Sequence, residues 1–417
     1  MKRKLALILT ATVVAASLVG CKKELPETSG AVESTPGVIE EGADLTLWTE
    51  NVKYGEAIAE NFTKKYPEVK VTVEEAPGMG GSMDKLALDG PAGNGPDVLI
   101  VPHDKVTNGI DSGIITPLSD EITKELNEKV TKNALDVVSR EGELYGSPVS
   151  IETGALFYNK DLVTEPANTF EEIYDMAKEY NSSKENKFVF LLNPNHFYDA
   201  YALLSSGGFN LFGENNNDEN NPGFDSPEFL LGLENLAKLK EIIPINSKDL
   251  MDETVPNQFK EGKTPYILGG PWNIDSFKKA GVNFGVATVP TINGKETKTM
   301  GGIQAACVSA YTDYPNASME LAKFMAEEEG AQILYDTQYK ITALKDTSKV
   351  AGLNEDKDLG VFAEQFKTSV PTPTISRMSY IYPLGDSVLS TVFDGKLTPE
   401  QGVEKAKQEW NALIATE

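Results

Sequence analysis

The chain holds 2 His and 2 Cys among 417 residues. Those are the side chains that most often carry chemistry at neutral pH, and their scarcity excludes a good deal. No His/Cys group stands at metal-ligand spacing, and two cysteines build no disulfide framework. No Gly-x-Ser-x-Gly stretch occurs, so the strand-to-helix nucleophile turn of many hydrolases is missing. Basic residues are also few: 38 Lys and Arg stand against 63 Asp and Glu, a net charge of −25. A phosphate-binding surface needs a basic patch, so nucleic acid is not a partner. The same charge opposes adsorption of the whole body onto an anionic membrane. Gly78-Met79-Gly80-Gly81 has the glycines of a phosphate loop but no Gly-Lys-Ser/Thr after them. No cofactor is implied.

What is present is enough chain for two domains. Met1 to Lys4 is basic, and Leu5 to Val19 is an apolar run shorter than a membrane span needs. Residues 1–20 therefore read as a cleaved signal peptide. Cys21 follows small residues and precedes Lys22 and Lys23. Residues 21–42 are rich in Glu, Ser, Thr, Pro and Gly, cannot bury a core, and read as a disordered tether.

The folded body opens at Asp44. Alternation over Asp44 to Trp48 predicts a strand, and Ile58, Phe62 and Tyr66 share one face of a helix from Tyr54 to Tyr66. Val69 to Val73 is a second strand. This β-α-β opening predicts an α/β lobe with a largely parallel sheet. Ligands of open α/β sheets bind at the carboxyl ends of strands, which draws attention to the loop Thr49 to Lys53, with Glu50 and Lys53. Val98 to Val101 is a buried strand, and His103-Asp104-Lys105 follows its carboxyl end. Asp104 fits a helix N-cap or a ligand acceptor. Phe188 to Leu192, Phe284 to Pro290 and Thr299 to Ser309 predict further strands. Helices are expected over Phe170 to Tyr180, Phe229 to Leu239, Ala317 to Glu328, Leu384 to Phe393 and Pro399 to Leu413. Cys307 falls in an apolar run, as a small core residue. Gly213 to Gly223 is a polar surface loop whose spacing does not match an EF-hand.

One stretch organises the rest: Glu143 to Asp161. Val149 and Ile151 precede Glu152-Thr153-Gly154, and Ala155 to Tyr158 is a second apolar run. A carboxylate between two short buried strands costs free energy unless something binds it. Glu152 is a satisfied core or strand-edge carboxylate, or a hinge residue facing a cleft.

The segment Tyr145-Gly-Ser-Pro-Val-Ser-Ile-Glu152-Thr-Gly-Ala-Leu-Phe-Tyr158-Asn-Lys-Asp-Leu-Val163 resembles the hinge of extracellular solute-binding proteins of ABC importers. Within them it is most similar to the maltose/maltodextrin-binding group. Gly270-Pro271-Trp272 and the segment Leu86 to Val101 carry the same resemblance, which runs over nearly all of the mature chain. It implies an α/β, two-lobed, type II periplasmic-binding-protein-like fold. Residues 43–152 and 303–345 would form the first lobe, and 153–302 and 346–417 the second, joined by about three crossovers. It implies lipidation of Cys21 at the extracellular face of the cell membrane, a monomer, delivery of ligand to an importer permease, and no catalysis. Tyr198, Trp272 and Tyr382 would stack on sugar rings, with Tyr380 as a neighbour able to replace Tyr382. Asp104, Glu152, Glu50 and Lys53 would hold hydroxyls. His196 stands where the family has an acid, Val52 where it often has an acidic residue, and Val101 where it has an aromatic ring. Read from residue types alone, Tyr198 and Trp272 are equally at home as packing rings. Two rivals stay open: a surface glycan adhesin, and a glycoside hydrolase using Asp104 and Glu152 as its carboxylate pair.

Overall fold

The structure, a computed structural model, describes residues 37–78, 81–251 and 253–416. The expected leader, Cys21 and the tether as far as residue 36 lie outside the described residues. Among the described residues, no helix is long and apolar enough to cross a membrane.

The first elements are β1 (Asp44–Thr49), α1 (Val52–Lys65) and β2 (Lys70–Glu75). Leu45 and Leu47 are fully buried on one face of β1, as alternation requires. The side chain of Asn51 accepts from the Tyr54 N–H at 3.0 Å and starts α1 two residues before the apolar periodicity becomes visible. Tyr54, Ile58 and Phe62 form its buried stripe. β1 runs parallel to β2 and, on its other side, to β3 (Val98–Pro102).

Beyond β3 the sheet is not largely parallel, and this corrects the expectation from the β-α-β opening. The strand Met300–Ser309 lies antiparallel to β3, with Cys307 opposite Leu99, and antiparallel to Ser147–Thr153, with Gly302 opposite Glu152. The direction follows from the chain path. Ser147–Thr153 runs out of the first sheet into the second lobe, and Met300–Ser309 comes back, so the two must oppose. Short strands Ile341–Thr342, Ile115–Thr116 and Val370–Pro371 complete eight.

The second sheet has four strands, ordered Phe284–Ala287, Ala155–Asn159, Tyr266–Gly269, Phe190–Leu191. Each sheet has its own hydrophobic core, so the described chain is two-lobed. Phe157 centres the second core, with Phe277, Phe284 and Phe362 all within 5.6 Å by ring centroid. Gly154 alone separates the last residue of one sheet, Thr153, from the first of the other, Ala155. Later, Thr342 pairs with Ser150 in the first sheet, and Phe362 of the helix Lys357–Thr368 packs in the second core.

Cys307 is fully buried, and burial pushes its thiol up to about 12, so it is a packing residue and not a nucleophile. The helix expected from Leu384 begins six residues earlier, at Met378, and carries Pro383 inside it. Proline there forfeits one backbone hydrogen bond. Burial of Ile381, Leu384 and Val388 along one side keeps the helix intact.

Candidate functional site

Because β1, β3 and Ser147–Thr153 point the same way, their carboxyl ends bring three loops to one rim. From β1 come Thr49, Glu50 and Asn51; from β3 come His103 and Asp104; from the third come Ser150 and Glu152. The second lobe faces them with Tyr198 on the helix Phe197–Ser205, Trp272 in the turn after Tyr266–Gly269, and Tyr382 near the start of the helix Met378–Phe393.

A hydrogen bond ties the two sides together: Tyr382 donates its hydroxyl to Asp104 Oδ2 at 3.1 Å. Tyr198 donates at 3.0 Å to the carbonyl of Met300, whose side chain packs in the second core. Burial first, then the carboxylates of Asp104 and Glu152 respectively, hold both phenols well above their usual range. They stay neutral donors at any physiological pH. Asp104 is buried in the first turn of the helix His103–Asp111, whose N-cap is Pro102, so capping is not its role. Glu152 is held on three sides: Lys340 Nζ at 2.6 Å, Gln304 Nε2 at 3.2 Å and Ser150 Oγ at 3.4 Å.

Trp272 is 41% exposed, unusual for so large an apolar ring. Its indole lies over Gly270, where a Cβ would come within 2.1 Å of the ring, so the glycine before Pro271 makes room for it. The Tyr198 and Trp272 rings are 6.3 Å apart and tilted by 59°. Two neighbouring aromatic rings with carboxylates nearby can hold a hydroxyl-rich ligand: apolar faces stack and hydroxyls donate to the acids.

The other predicted residues are placed differently. His196 is the N-cap residue of Phe197–Ser205; its Nδ1 is 3.2 Å from Asp199 Oδ2 and its ring 6.3 Å from that of Tyr198. Glu50 is exposed and lines a cavity of 220 Å³ beside Trp272. Lys53 is exposed on the first turn of α1 and does not line that cavity. Tyr380 packs towards Trp410, 6.5 Å away, whereas Tyr382, on the same core, bonds to Asp104. Two positions of one helical turn face different sides, and spacing alone did not separate them.

Sequence reasoning passed over Lys340, Gln304, Asp275 and Tyr54, all of which line the cavity. Tyr54 reads in the sequence only as the first residue of the expected helix, and Lys340 sits in a segment with no periodicity to read. Among the described residues, no group of three or more His, Cys, Asp or Glu is placed to hold a metal ion. His103 is no general base either: its Nδ1 accepts from the Ile303 N–H at 3.0 Å and its Nε2 lies 2.9 Å from the Thr372 carbonyl.

The chain matches the family model for bacterial extracellular solute-binding protein over residues 57–360. It is 30% identical to the galactooligosaccharide-binding protein of Bacillus subtilis, over 98% of this chain and 96% of the relative. It is also 30% identical to a maltooligosaccharide ABC transporter solute-binding lipoprotein of Streptococcus pneumoniae, over 94% of this chain and 92% of the relative. Among solved structures it is similar to MalX from Streptococcus pneumoniae in complex with maltopentaose. That match has a TM-score of 0.81 at 30% identity and covers 88% of this chain and all of that one. The chain therefore belongs to the bacterial extracellular solute-binding proteins, a family of binders and not of enzymes.

Proposed function

We propose that this protein captures malto-oligosaccharides between its two lobes and delivers them to the permease of an ABC importer. The observation that carries this reading is the indole of Trp272, left 41% exposed beside Tyr198, a ring close enough to Glu152 and Asp104 to feel their charge. Tyr198, Trp272 and Tyr382 stack on the sugar; Asp104, Glu152 and Glu50 accept from its hydroxyls; His196 orients Tyr198. Lys53 and Tyr380 take outer positions. The lobes are residues 43–152 with 303–345 and 153–302 with 346–417. The body is a monomer, tethered through lipidated Cys21 to the extracellular face of the cell membrane. Relatives that bind maltopentaose or act in maltooligosaccharide transport support the ligand class and the importer.

A second reading has its own support: the relative matched over 98% of this chain binds galactooligosaccharide. Calorimetry with maltose, maltotriose, maltotetraose, galactotriose and cellotriose separates the two. The expected result is saturable binding of the maltodextrins with no sugar released on overnight incubation. Binding of galactotriose alone would replace the first reading by the second.

A further inference from the structure

Lys340, the cation on Glu152, reaches its partner through one backbone turn. The helix Glu328–Gln338 is followed by Tyr339, Lys340 and the strand Ile341–Thr342. That strand lies antiparallel to Ser147–Thr153, with Ile341 opposite Ile151 and Thr342 opposite Ser150. Stepping back from Ile341 and on from Ile151 sets Lys340 opposite Glu152, and Lys340 Nζ is 2.6 Å from Glu152 Oε1. Between the helix and Lys340 only Tyr339 is left to turn the chain. It does so at φ 53° and ψ 44°, in the left-handed region. A residue with a Cβ is strained there, and glycine is the usual occupant after a helix. A bulky ring in that conformation persists only where its surroundings hold it.

The surroundings are on both sides of the ring. Lys278 Nζ stands over its face, 3.6 Å from the centroid, and the Tyr335 ring meets it at 79°, 6.1 Å away. Lys278 belongs to the helix Ile274–Lys279, which follows directly from the turn that carries Trp272. Trp272 and Lys340 line one cavity. A lysine on the Trp272 side therefore grips the residue that aims the lysine on the Glu152 side. We propose that Tyr339 is a positioning residue of the site: its left-handed turn, held by Lys278, keeps Lys340 on Glu152 and so fixes the carboxylate that a sugar meets. The sugar enters from the carbohydrate reading above; the turn does not depend on it.

The test compares Tyr339→Ala, Tyr339→Gly and Tyr339→Phe in the full chain. Alanine and glycine both remove the ring, but only glycine takes the left-handed turn without strain. A ring that merely packs would cost both variants alike. The first readout needs no ligand: the coupling between Glu152→Gln and Lys340→Met in urea unfolding. It should match the parent in the Gly and Phe variants and fall by about half or more in Tyr339→Ala. The second is calorimetry with maltotriose, or with galactotriose if that is the sugar the parent binds. Affinity should fall about tenfold in Tyr339→Ala, about threefold in Lys278→Met, and about twofold or less in the Gly and Phe variants. Equal coupling in all three Tyr339 variants would overturn the inference, as would equal losses of affinity in Ala and Gly. Coupling that follows the turn while affinity ignores it would make Tyr339 structural and remove it from the site. Unchanged affinity in Lys278→Met would overturn the part given to Lys278. If the parent binds no sugar, the carbohydrate reading falls, and the coupling alone decides whether the turn places Lys340.

Discussion

Trp272 and Glu152 hold opposite kinds of unfinished business. An indole that is 41% exposed keeps apolar surface in water, and a sugar face laid upon it removes that surface. Trp272→Ala should weaken maltotriose binding by about 1–3 kcal/mol, as for other aromatic anchors, read by calorimetry. An unchanged affinity would move the stacking platform elsewhere. Glu152 is a carboxylate 11% exposed, paired with a lysine 16% exposed. Glu152→Gln leaves Lys340 without its anion and should lower stability by about 1.5–3 kcal/mol in urea unfolding. Adding Lys340→Met should restore part of the loss, because the orphaned charge is then gone. Should the double variant be as unstable as the sum of both single changes, the pair is not coupled. At this scale the family resemblance singles out Trp272 through Gly270-Pro271-Trp272, while residue type alone left it equally at home as a packing ring. Neither could name Lys340, whose partner lies 188 positions away in the chain.

Single elements hold their own pH dependence. Asp394 ends the helix Met378–Phe393 and joins it to the turn Ser247–Asp249. Burial pushes its carboxyl up, but Lys396 at 2.8 Å and the backbone and hydroxyl hydrogen bonds from Ser247 outweigh that and bring it down to about 2. A folded-state value below the ordinary 3.8 means stability that is full above that pH and lost as pH falls through about 2. Asp394→Asn should therefore lower the melting temperature at neutral pH and flatten its fall between about pH 4 and about pH 2. A parallel fall in both proteins would show that other carboxylates carry the acid transition. Periodicity located most helices but not all of their ends. Asn51 starts α1 early by capping it, and Pro383 sits inside a helix that local rules would begin after it. Side-chain capping and packing on a distant core decided both, and neither is visible in a window of ten residues.

For the whole molecule, function depends on two cores joined by few strands. On the proposed function, a ligand touching both lobes would favour the arrangement that brings Trp272 and Glu152 within reach of one sugar, a shift of populations by hinge bending. Small-angle scattering should show a smaller radius of gyration in saturating maltotriose, and the change should shrink in Trp272→Ala at the same sugar concentration. No compaction in the parent protein would mean that the lobes do not close on the ligand. The sequence alone determined the pieces: strands by alternation, helices by their stripes, and a crossing at Glu152-Thr153-Gly154 between two apolar runs. Only the tertiary structure decided how they met. The antiparallel return of Met300–Ser309, the parting of Tyr380 from Tyr382, and the gathering of Tyr54, Gln304 and Lys340 around one cavity all join residues far apart in the chain. A local pattern records which face of an element is apolar. It does not record what that face, or the polar atom at its edge, will be set against.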